Sequence, residues 1–392
     1  MRTPRDGTGS ILVFNAGSSS LKSGLFDRRA ERTLAVHASM LLPDHTAADI
    51  EGAVASLLAQ IDPETIAVVG HRVVHGGSHF THPVFVDAGV RAAIAELTEL
   101  APQHNASALA AMDAVSAALP GVPQVAVFDT AFHSSLPEEA YLYGVPYDWY
   151  RDHGVRRYGF HGISHQYVAR RAAEMLKRPL ESLKLVTCHL GSGCSLAAIE
   201  GGRSVATTMG FTPLDGLIMA TRPGALDPGI LTWMLASGRV RLEDLEHTLQ
   251  HRSGLRGLSG LSGDMRDILA AREAGNRRAA TALQVYVFRL AQEIAAMTTA
   301  LGSLDALVFT GGVGEHSAVV RAEAIARLWW LGIELVSGRN ERNEPDVAIS
   351  TVSSPVDVLV VRSREELMIA GECRALLSSG SRELADGDRD PT

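Results

Sequence analysis

Phe14-Asn15-Ala16-Gly17-Ser18-Ser19-Ser20-Leu21-Lys22 follows the apolar run Ile11–Phe14 and leads at once into a second apolar segment, Leu21–Phe26. The order is strand, turn, strand. A Walker-type phosphate loop runs strand, loop, helix and ends in Gly-Lys-Ser/Thr, so this is a different device. Glycine and serine let backbone N–H groups approach phosphate oxygens, and Lys22 adds a point charge for them. A Ser-rich turn is most often a solvated hairpin, so its meaning depends on what recurs downstream.

The pattern recurs. Leu185–Leu196 reads apolar strand, His189-Leu190, then Gly191-Ser192-Gly193-Cys194-Ser195, then strand again. Each half of the chain thus opens with an apolar strand, a Gly/Ser turn and a second strand. Chance similarity of two turns is the plain alternative. Two copies of one phosphate-gripping hairpin would enclose a nucleotide between domains, a common place for ligands.

With 392 residues the chain is too long for one core, and two large domains are expected. Apolar runs of strand length alternate with Ala-rich stretches of helical period, which is the pattern of an α/β protein. Strands are expected at 10–15, 21–26, 66–70, 124–128, 184–189, 194–199, 306–310 and 356–361. Helices are expected at 48–60, 89–99, 106–118, 165–177, 264–273 and 277–301, with Gly275-Asn276 as stop and restart between the last two. The polar stretch from about 378 to 392 is expected to be frayed or disordered.

A net charge of −8 argues against general nucleic-acid binding, which needs a basic face. No apolar run approaches the roughly 20 residues of a membrane-spanning helix. Met1–Ser10 is polar and lacks the apolar stretch of a secretory signal. Cys188, Cys194 and Cys373 make an odd set without metal-ligand spacing, best read as buried apolar residues in a reducing cytoplasm. A cytoplasmic protein is expected.

Five further segments bear on chemistry. Gly70-His71-Arg72-Val73-Val74-His75-Gly76-Gly77 closes a strand, where α/β folds set ligands, and the planar fork of Arg72 suits a carboxylate or phosphate. A surface ion pair is the bland reading. Asp129, after the apolar run Val125–Phe128, suits positioning a nucleophile or taking a proton, although a lone Asp there is more often a helix N-cap. His161 and His165 flank Gly162 four residues apart, with no following Glu as in zinc proteases; His161 reads as a loop residue and His165 as the helix start. Ala220–Gly229 is a Pro/Gly loop that preorganises Arg222 toward negative charge, or simply connects. Val308–Ser317 reads strand, glycine cluster, helix, and lies too late in the chain for a nicotinamide-binding first βα unit.

Together these segments resemble the acetate kinase (acetokinase) family from about residue 11 to 372. The resemblance rests on Asn15–Lys22, Gly70–Gly77, Ala101–Asn105, Phe128–His133, Tyr158–His165, His189–Gly193, Phe211–Gly216, Asp264–Arg266, Gly311–Glu315 and Glu365–Leu367, in the family's order. It implies an α/β fold of two duplicated ribonuclease H-like domains of the actin and hexokinase type, with a nucleotide cleft between them. The first domain would be 1–146 plus 362–392, the second 147–361, and the protein a homodimer.

The implied activity is acetate kinase: direct in-line transfer of the ATP γ-phosphoryl group to acetate, reversibly giving acetyl phosphate and ADP, with side activity on propionate. The resemblance implies Asp129, His161 and Arg222 as catalytic residues. It implies Arg72, Val74, Phe160 and Pro213 at the substrate. It implies Lys22, His189, Leu190, Gly191, Ser192, Gly193, Asp264, Met265, Arg266, Gly312, Val313, Gly314, Glu315 and His316 at the nucleotide. Asn15 and Glu365 would hold magnesium, with manganese as the alternative. Such a transfer needs alignment and charge neutralisation more than covalent help, which two arginines, a histidine and a metal supply. Four positions depart from the family pattern: Gln103 for an apolar residue near the acyl pocket, Ser192 for Asn, Ala225 for Asp and His316 for Asn. The rival readings are another kinase of the same fold, acting on a sugar hydroxyl or on a longer carboxylate such as propionate or butyrate, and an ATP-driven switch; the two arginines favour an anionic acceptor over a sugar.

Overall fold

The computed structural model describes residues 9–16, 20–40 and 46–386. Its strands form two six-stranded sheets. In the first, β1 (Ser10–Ala16), β2 (Ser20–Phe26) and β3 (Thr33–Met40) make an antiparallel meander. On the other side of β1, β4 (Ile66–Val73) runs parallel to it. The short β5 (Val84–Phe85) is the outer edge, antiparallel to β6 (Gln124–Phe128), which runs parallel to β4.

The second sheet repeats the plan. Its meander is β7 (Lys184–Leu190), β8 (Cys194–Glu200) and β9 (Arg203–Thr207). β10 (Ala306–Thr310) is parallel to β7, and the edge strand β11 (Val347–Ala348) is antiparallel to β12 (Asp357–Val360), itself parallel to β10. The strand orders, 3-2-1-4-6-5 and 9-8-7-10-12-11, match position for position and direction for direction. The duplicated α/β fold expected from the paired hairpins is therefore present in the backbone. The turn residues 17–19 of the first hairpin lie outside the described residues.

Burial explains which strands the sequence announces. β6 and β10 are buried at every residue, β8 at all but Glu200 and β7 over Leu185–Cys188, so each reads as a largely apolar run. The helix Arg277–Leu301 buries Ala279, Ala282, Leu283, Tyr286, Val287, Leu290, Ala291 and Ile294, a stripe of helical period. Asn276 caps it through Ala279 N at 3.0 Å, and Gly302, at φ 69°, ends it. In the first unit, Leu12, Phe14, Ile50, Val54, Val69, Ala111 and Val115 pack as one core between β1, β4 and their covering helices.

The chain divides into two compact units. One comprises Met1–Phe132, Gly162–Ser164 and Arg364–Thr392; the other comprises His133–His161 and His165–Ser363. The first crossing thus falls at residue 132, earlier than 146. Residues 133–146 are tied into the second unit: His133 Nδ1 meets Ser204 Oγ at 2.8 Å, Ser135 Oγ donates to Ser204 O at 2.8 Å, and Phe211 N donates to Tyr143 Oη at 2.9 Å. The polar stretch expected to fray from residue 378 begins inside a helix. The helix Glu365–Asp386 continues through Arg382-Glu383-Leu384-Ala385, residues of high helix propensity whose polarity suggested a loop. Residues 387–392 lie outside the described residues.

Candidate active site

In the first unit, β1, β4 and β6 are parallel, so their carboxyl ends share one edge of the sheet. Asn15 lies near the end of β1, Arg72 near the end of β4, and Asp129 follows β6 directly. Ligands of open α/β sheets bind at that edge. Here the three side chains meet. Arg72 Nε lies 3.1 and 3.0 Å from the two Asp129 oxygens, Nη2 also bonds Oδ2, and Nη1 donates to Asn15 Oδ1 at 3.0 Å. Asn15 Nδ2 in turn donates to Glu365 Oε2 and Glu366 Oε1, both at 2.9 Å.

Asp129 is 1% exposed, and its carboxylate takes the Arg72 fork. Burial alone would lower the Arg72 pKa, but the opposing charges of Asp129 and then Glu365 raise it above the ordinary arginine value. This arginine is a permanent cation. The loop after β4 is pinned by Asn105, 0% exposed, whose amide accepts from His75 N and donates to His75 O, both at 3.1 Å. Gly76 N donates to Thr130 Oγ1 at 3.0 Å, which fastens the same loop to the residue after Asp129. Val74 is buried in that loop. The acyl-pocket expectation for the Gln103 side chain lies outside the described residues.

Gly162 N donates to the Asp129 carbonyl at 3.0 Å, and a Cβ on Gly162 would overlap that carbonyl oxygen, so only glycine fits. The preceding residue, His161, adopts the left-handed conformation at φ 56° and ψ 23°, uncommon for a residue with a side chain. The helix begins at Gly162, which sets His165 one turn inside it rather than at its start.

In the second unit, His161 gathers with residues of the β7–β8 hairpin. Its ring stacks on His189 with centroids 4.3 Å apart, and its Nδ1 lies 2.9 Å from Ser195 Oγ. Gly193 is the close-approach point of that hairpin: a Cβ there would stand 2.9 Å from Arg222 Nη2 and 3.2 Å from His161 Nε2. The turn closes by Gly191 N donating to Gly193 O at 2.9 Å, and Ser192 O accepts from Ala220 N at 3.1 Å, which anchors the Arg222 loop to it. Arg222 Nη1 donates to Pro213 O at 3.0 Å, and burial lowers the guanidinium pKa. Phe160 is 1% exposed, and its carbonyl accepts from His133 Nε2 at 3.1 Å.

The remaining expected nucleotide residues are spread along both units. Lys22 is exposed on β2, with Asn15 as its partner across the strand pair. Leu190 is fully buried. Asp264 caps the helix Met265–Glu273 through Arg266 N at 2.8 Å and is forked by the exposed Arg266 side chain at 3.0 and 2.6 Å; Met265 is buried. Gly312 and His316 are exposed, Val313 is half-buried, and Gly314 is buried in the short helix Gly311–His316. Glu315, also buried, accepts from Gly311 N at 3.1 Å and from Ser363 N at 2.9 Å.

The sequence reading missed Glu366, although it stands inside the Glu365–Leu367 motif, and it missed Ser195. It also missed Arg321, which no local pattern marks. Arg321 is 0% exposed and donates to the carbonyls of Gly314 and Glu315 at 2.8 and 2.9 Å, to Asn340 Oδ1 and O at 2.8 and 2.6 Å, and to Asn343 Oδ1 at 2.8 Å. It holds the carboxyl end of the Gly311–His316 helix from below.

In each unit these motifs lie at strand ends of a duplicated α/β scaffold, and a sequence profile of the acetokinase family matches residues 39–371. The chain belongs to the acetokinase family. An acetate kinase of Synechococcus sp. (strain JA-2-3B'a(2-13)) is 48% identical over 404 residues, covering 94% of this chain and 99% of its own. The crystal structure of Porphyromonas gingivalis acetate kinase superposes with a TM-score of 0.85 at 36% identity, covering 94% of this chain and all of that one. A propionate kinase from Francisella tularensis superposes equally well, at 0.85 and 34% identity, over 93% of this chain and 98% of its own. Solved structures named for two different acyl chains thus share this backbone.

Proposed function

We propose that this protein is an acetate kinase that transfers the γ-phosphoryl group of ATP to acetate, reversibly, with side activity on propionate. The observation that carries the reading is the Asn15–Arg72–Asp129–Glu365 cluster at the carboxyl ends of β1, β4 and β6. An arginine fixed by a buried carboxylate, with further hard oxygen donors beside it, suits an anionic acceptor and not a sugar hydroxyl.

In the proposed step a carboxylate oxygen of acetate forms a bond to the γ-phosphorus as the bond from that phosphorus to the β–γ bridging oxygen breaks. The electron pair leaves on ADP, and no proton is consumed. A carboxylate is already ionised at neutral pH, so Asp129 acts by holding Arg72 and the acceptor in line more than as a base. Arg72 and Arg222 neutralise the carboxylate and the phosphoryl oxygens, and His161 stabilises the charge that spreads over the equatorial oxygens. Val74, Phe160 and Pro213 line the acyl end. Lys22 and the segments 189–193, 264–266 and 312–316 take the nucleotide.

Among the described residues no cluster of three or more His, Cys, Asp or Glu side chains could hold a metal by itself. That suits magnesium carried by a nucleotide, which keeps phosphate and water ligands and needs one or two protein oxygens. Glu365 and Asn15 are oxygen donors of that kind. The ion, magnesium or manganese, supplies charge neutralisation at the phosphates when bound.

We further propose a homodimer in the cytoplasm. The helix Pro228–Ala236 buries none of its residues, although it reads Pro-Gly-Ile-Leu-Thr-Trp-Met-Leu-Ala; Ile230 is 47% and Trp233 56% exposed. A second copy would cover this apolar face. All three cysteines are buried free thiols, in keeping with a reducing compartment.

The experiment is acyl-phosphate formation from ATP and magnesium, trapped with hydroxylamine, for acetate, propionate and butyrate side by side. The expected result is turnover with acetate first and propionate second. No product with any carboxylate, from protein that still binds ATP, overturns the assignment.

A further inference from the structure

Behind His161 runs a chain of buried hydroxyls and imidazoles that the proposed reaction does not itself use. Ser195 is 0% exposed, and its Oγ lies between two rings: 2.9 Å from His161 Nδ1 and 2.8 Å from His165 Nε2. His165, also 0% exposed, reaches Thr187 Oγ1 through Nδ1 at 2.7 Å, and the Thr187 hydroxyl donates to Ala197 O at 3.4 Å. The pairing of β7 with β8 sets Thr187 opposite Ala197 and His189 opposite Ser195, so the strand register itself builds the chain.

Proton counting gives the chain a direction. A serine hydroxyl has one proton, so Ser195 donates to one ring and accepts from the other. At the far end Ala197 O is acceptor-only and takes the Thr187 proton. Thr187 therefore accepts from His165 Nδ1–H, which leaves His165 Nε2 bare to receive the Ser195 proton. Ser195 Oγ is then left to accept from His161 Nδ1–H. Reversing the direction would take the Thr187 proton away from the buried Ala197 carbonyl, a loss that buried polar groups avoid.

We infer that Ser195 and His165 are positioning residues that hold His161 with its proton on Nδ1 and its Nε2 edge toward Gly193 and the head of Arg222. In this state His161 becomes a cation by gaining a proton on Nε2 alone, with no rearrangement behind it. Groups facing this unit of rings include His189, stacked on His161, His133, edge-on to His165 at 5.7 Å, and Arg222 at Gly193. Burial, reinforced by His133 and His189, lowers the pKa of His165 well below the ordinary histidine value, so it serves as a neutral relay. The kinetic part of the inference rests on the kinase reading; the ring chemistry does not.

The test uses the full-length protein with 15N-labelled histidine, the His161 signals being assigned by their loss in His161→Gln. Above its pKa, wild-type His161 is expected in the Nδ1–H tautomer, the opposite of free imidazole, and Ser195→Ala is expected to move it to the Nε2–H form. Ser195→Ala is also expected to lower kcat for acyl-phosphate formation about 10–100-fold, with both KM values changed less than about twofold. Ser195→Thr, which keeps a hydroxyl, is expected to restore the tautomer and most of kcat. A wild-type His161 in the Nε2–H form overturns the inference without need of any variant, and so does a Ser195→Ala protein with unaltered His161 shifts. If the wild type makes no acyl phosphate, the kinase reading fails, while the wild-type ring spectrum still decides this inference.

Discussion

Arg72 and Asp129, one at the end of β4 and the other just past β6, form a side-on fork in which a single Nε reaches both carboxylate oxygens, at 3.1 and 3.0 Å. The carboxylate is 1% exposed, so its charge is compensated by this fork and not by solvent. Removing the cation takes this fork away from a buried anion.

Arg72→Ala is therefore expected to abolish phosphoryl transfer and to destabilise the fold by about 3–5 kcal/mol, the usual result of breaking a buried pair. The Arg72→Ala/Asp129→Ala double variant should recover part of that loss, since the buried Asp129 carboxylate is then no longer left without this fork. Urea unfolding of the four proteins of the cycle measures both terms. Purely additive losses would mean that the pair is not coupled.

Arg222 predicts the contrary pattern. It donates to the carbonyl of Pro213, and burial works against its charge. Arg222→Ala is expected to lower kcat by at least about 100-fold while leaving Tm near the wild-type value, because the residue serves developing charge more than the fold. Calorimetry beside the hydroxylamine assay separates the two; a drop in Tm as large as that of Arg72→Ala would contradict this.

Buried histidines make acid a denaturant here. Burial lowers the pKa of His71 and of His133 from 6.5 to about 4. Between these values the unfolded chain binds protons that the folded one excludes, so stability is full above pH 6.5 and is lost as the pH falls toward 4. Each residue contributes about 3 kcal/mol to that loss over the whole window. Unfolding free energies measured between pH 7 and 4.5 should fall steadily, and His71→Gln should flatten part of the slope. A level profile would count against neutral, buried rings.

Arg321 is tested through its own neighbourhood. Replacing it by Met leaves the carbonyls of Gly314 and Glu315 and the Asn340 side chain without their donors. Losing several such bonds is expected to cost about 3 kcal/mol or more. Because those carbonyls end the Gly311–His316 helix, KM for ATP should rise more than kcat falls. Steady-state kinetics at varied ATP, with a urea titration, checks both expectations.

Much of the molecule is legible in the residues because its central strands are buried on both faces. Val125–Phe128, Leu185–Cys188 and Ala306–Phe309 admit almost no polar residue, and the helix Arg277–Leu301 carries its apolar stripe over seven turns. The edges are silent for the matching reason. Residues 31–37 of the β3 region are mostly exposed, and β5 and β11 are two residues long, so neither alternation nor apolar run marks them. The start of the His165 helix was misjudged because Gly162 looks like a breaker, when it is in fact the residue small enough to lie against the Asp129 carbonyl.

The sequence by itself determined the family, the duplicated hairpin and the residue types of the site, because motif order and core periodicity are local properties of a chain. Which groups act on one another was decided only by tertiary structure. Asn15 bonds Glu365 across 350 positions, and Ser195 joins His161 to His165 only because β8 pairs with β7 in one register. A hydrogen bond needs two atoms within about 3 Å, and nothing in the local chain sets a distance between segments hundreds of residues apart. Packing of the strands sets it.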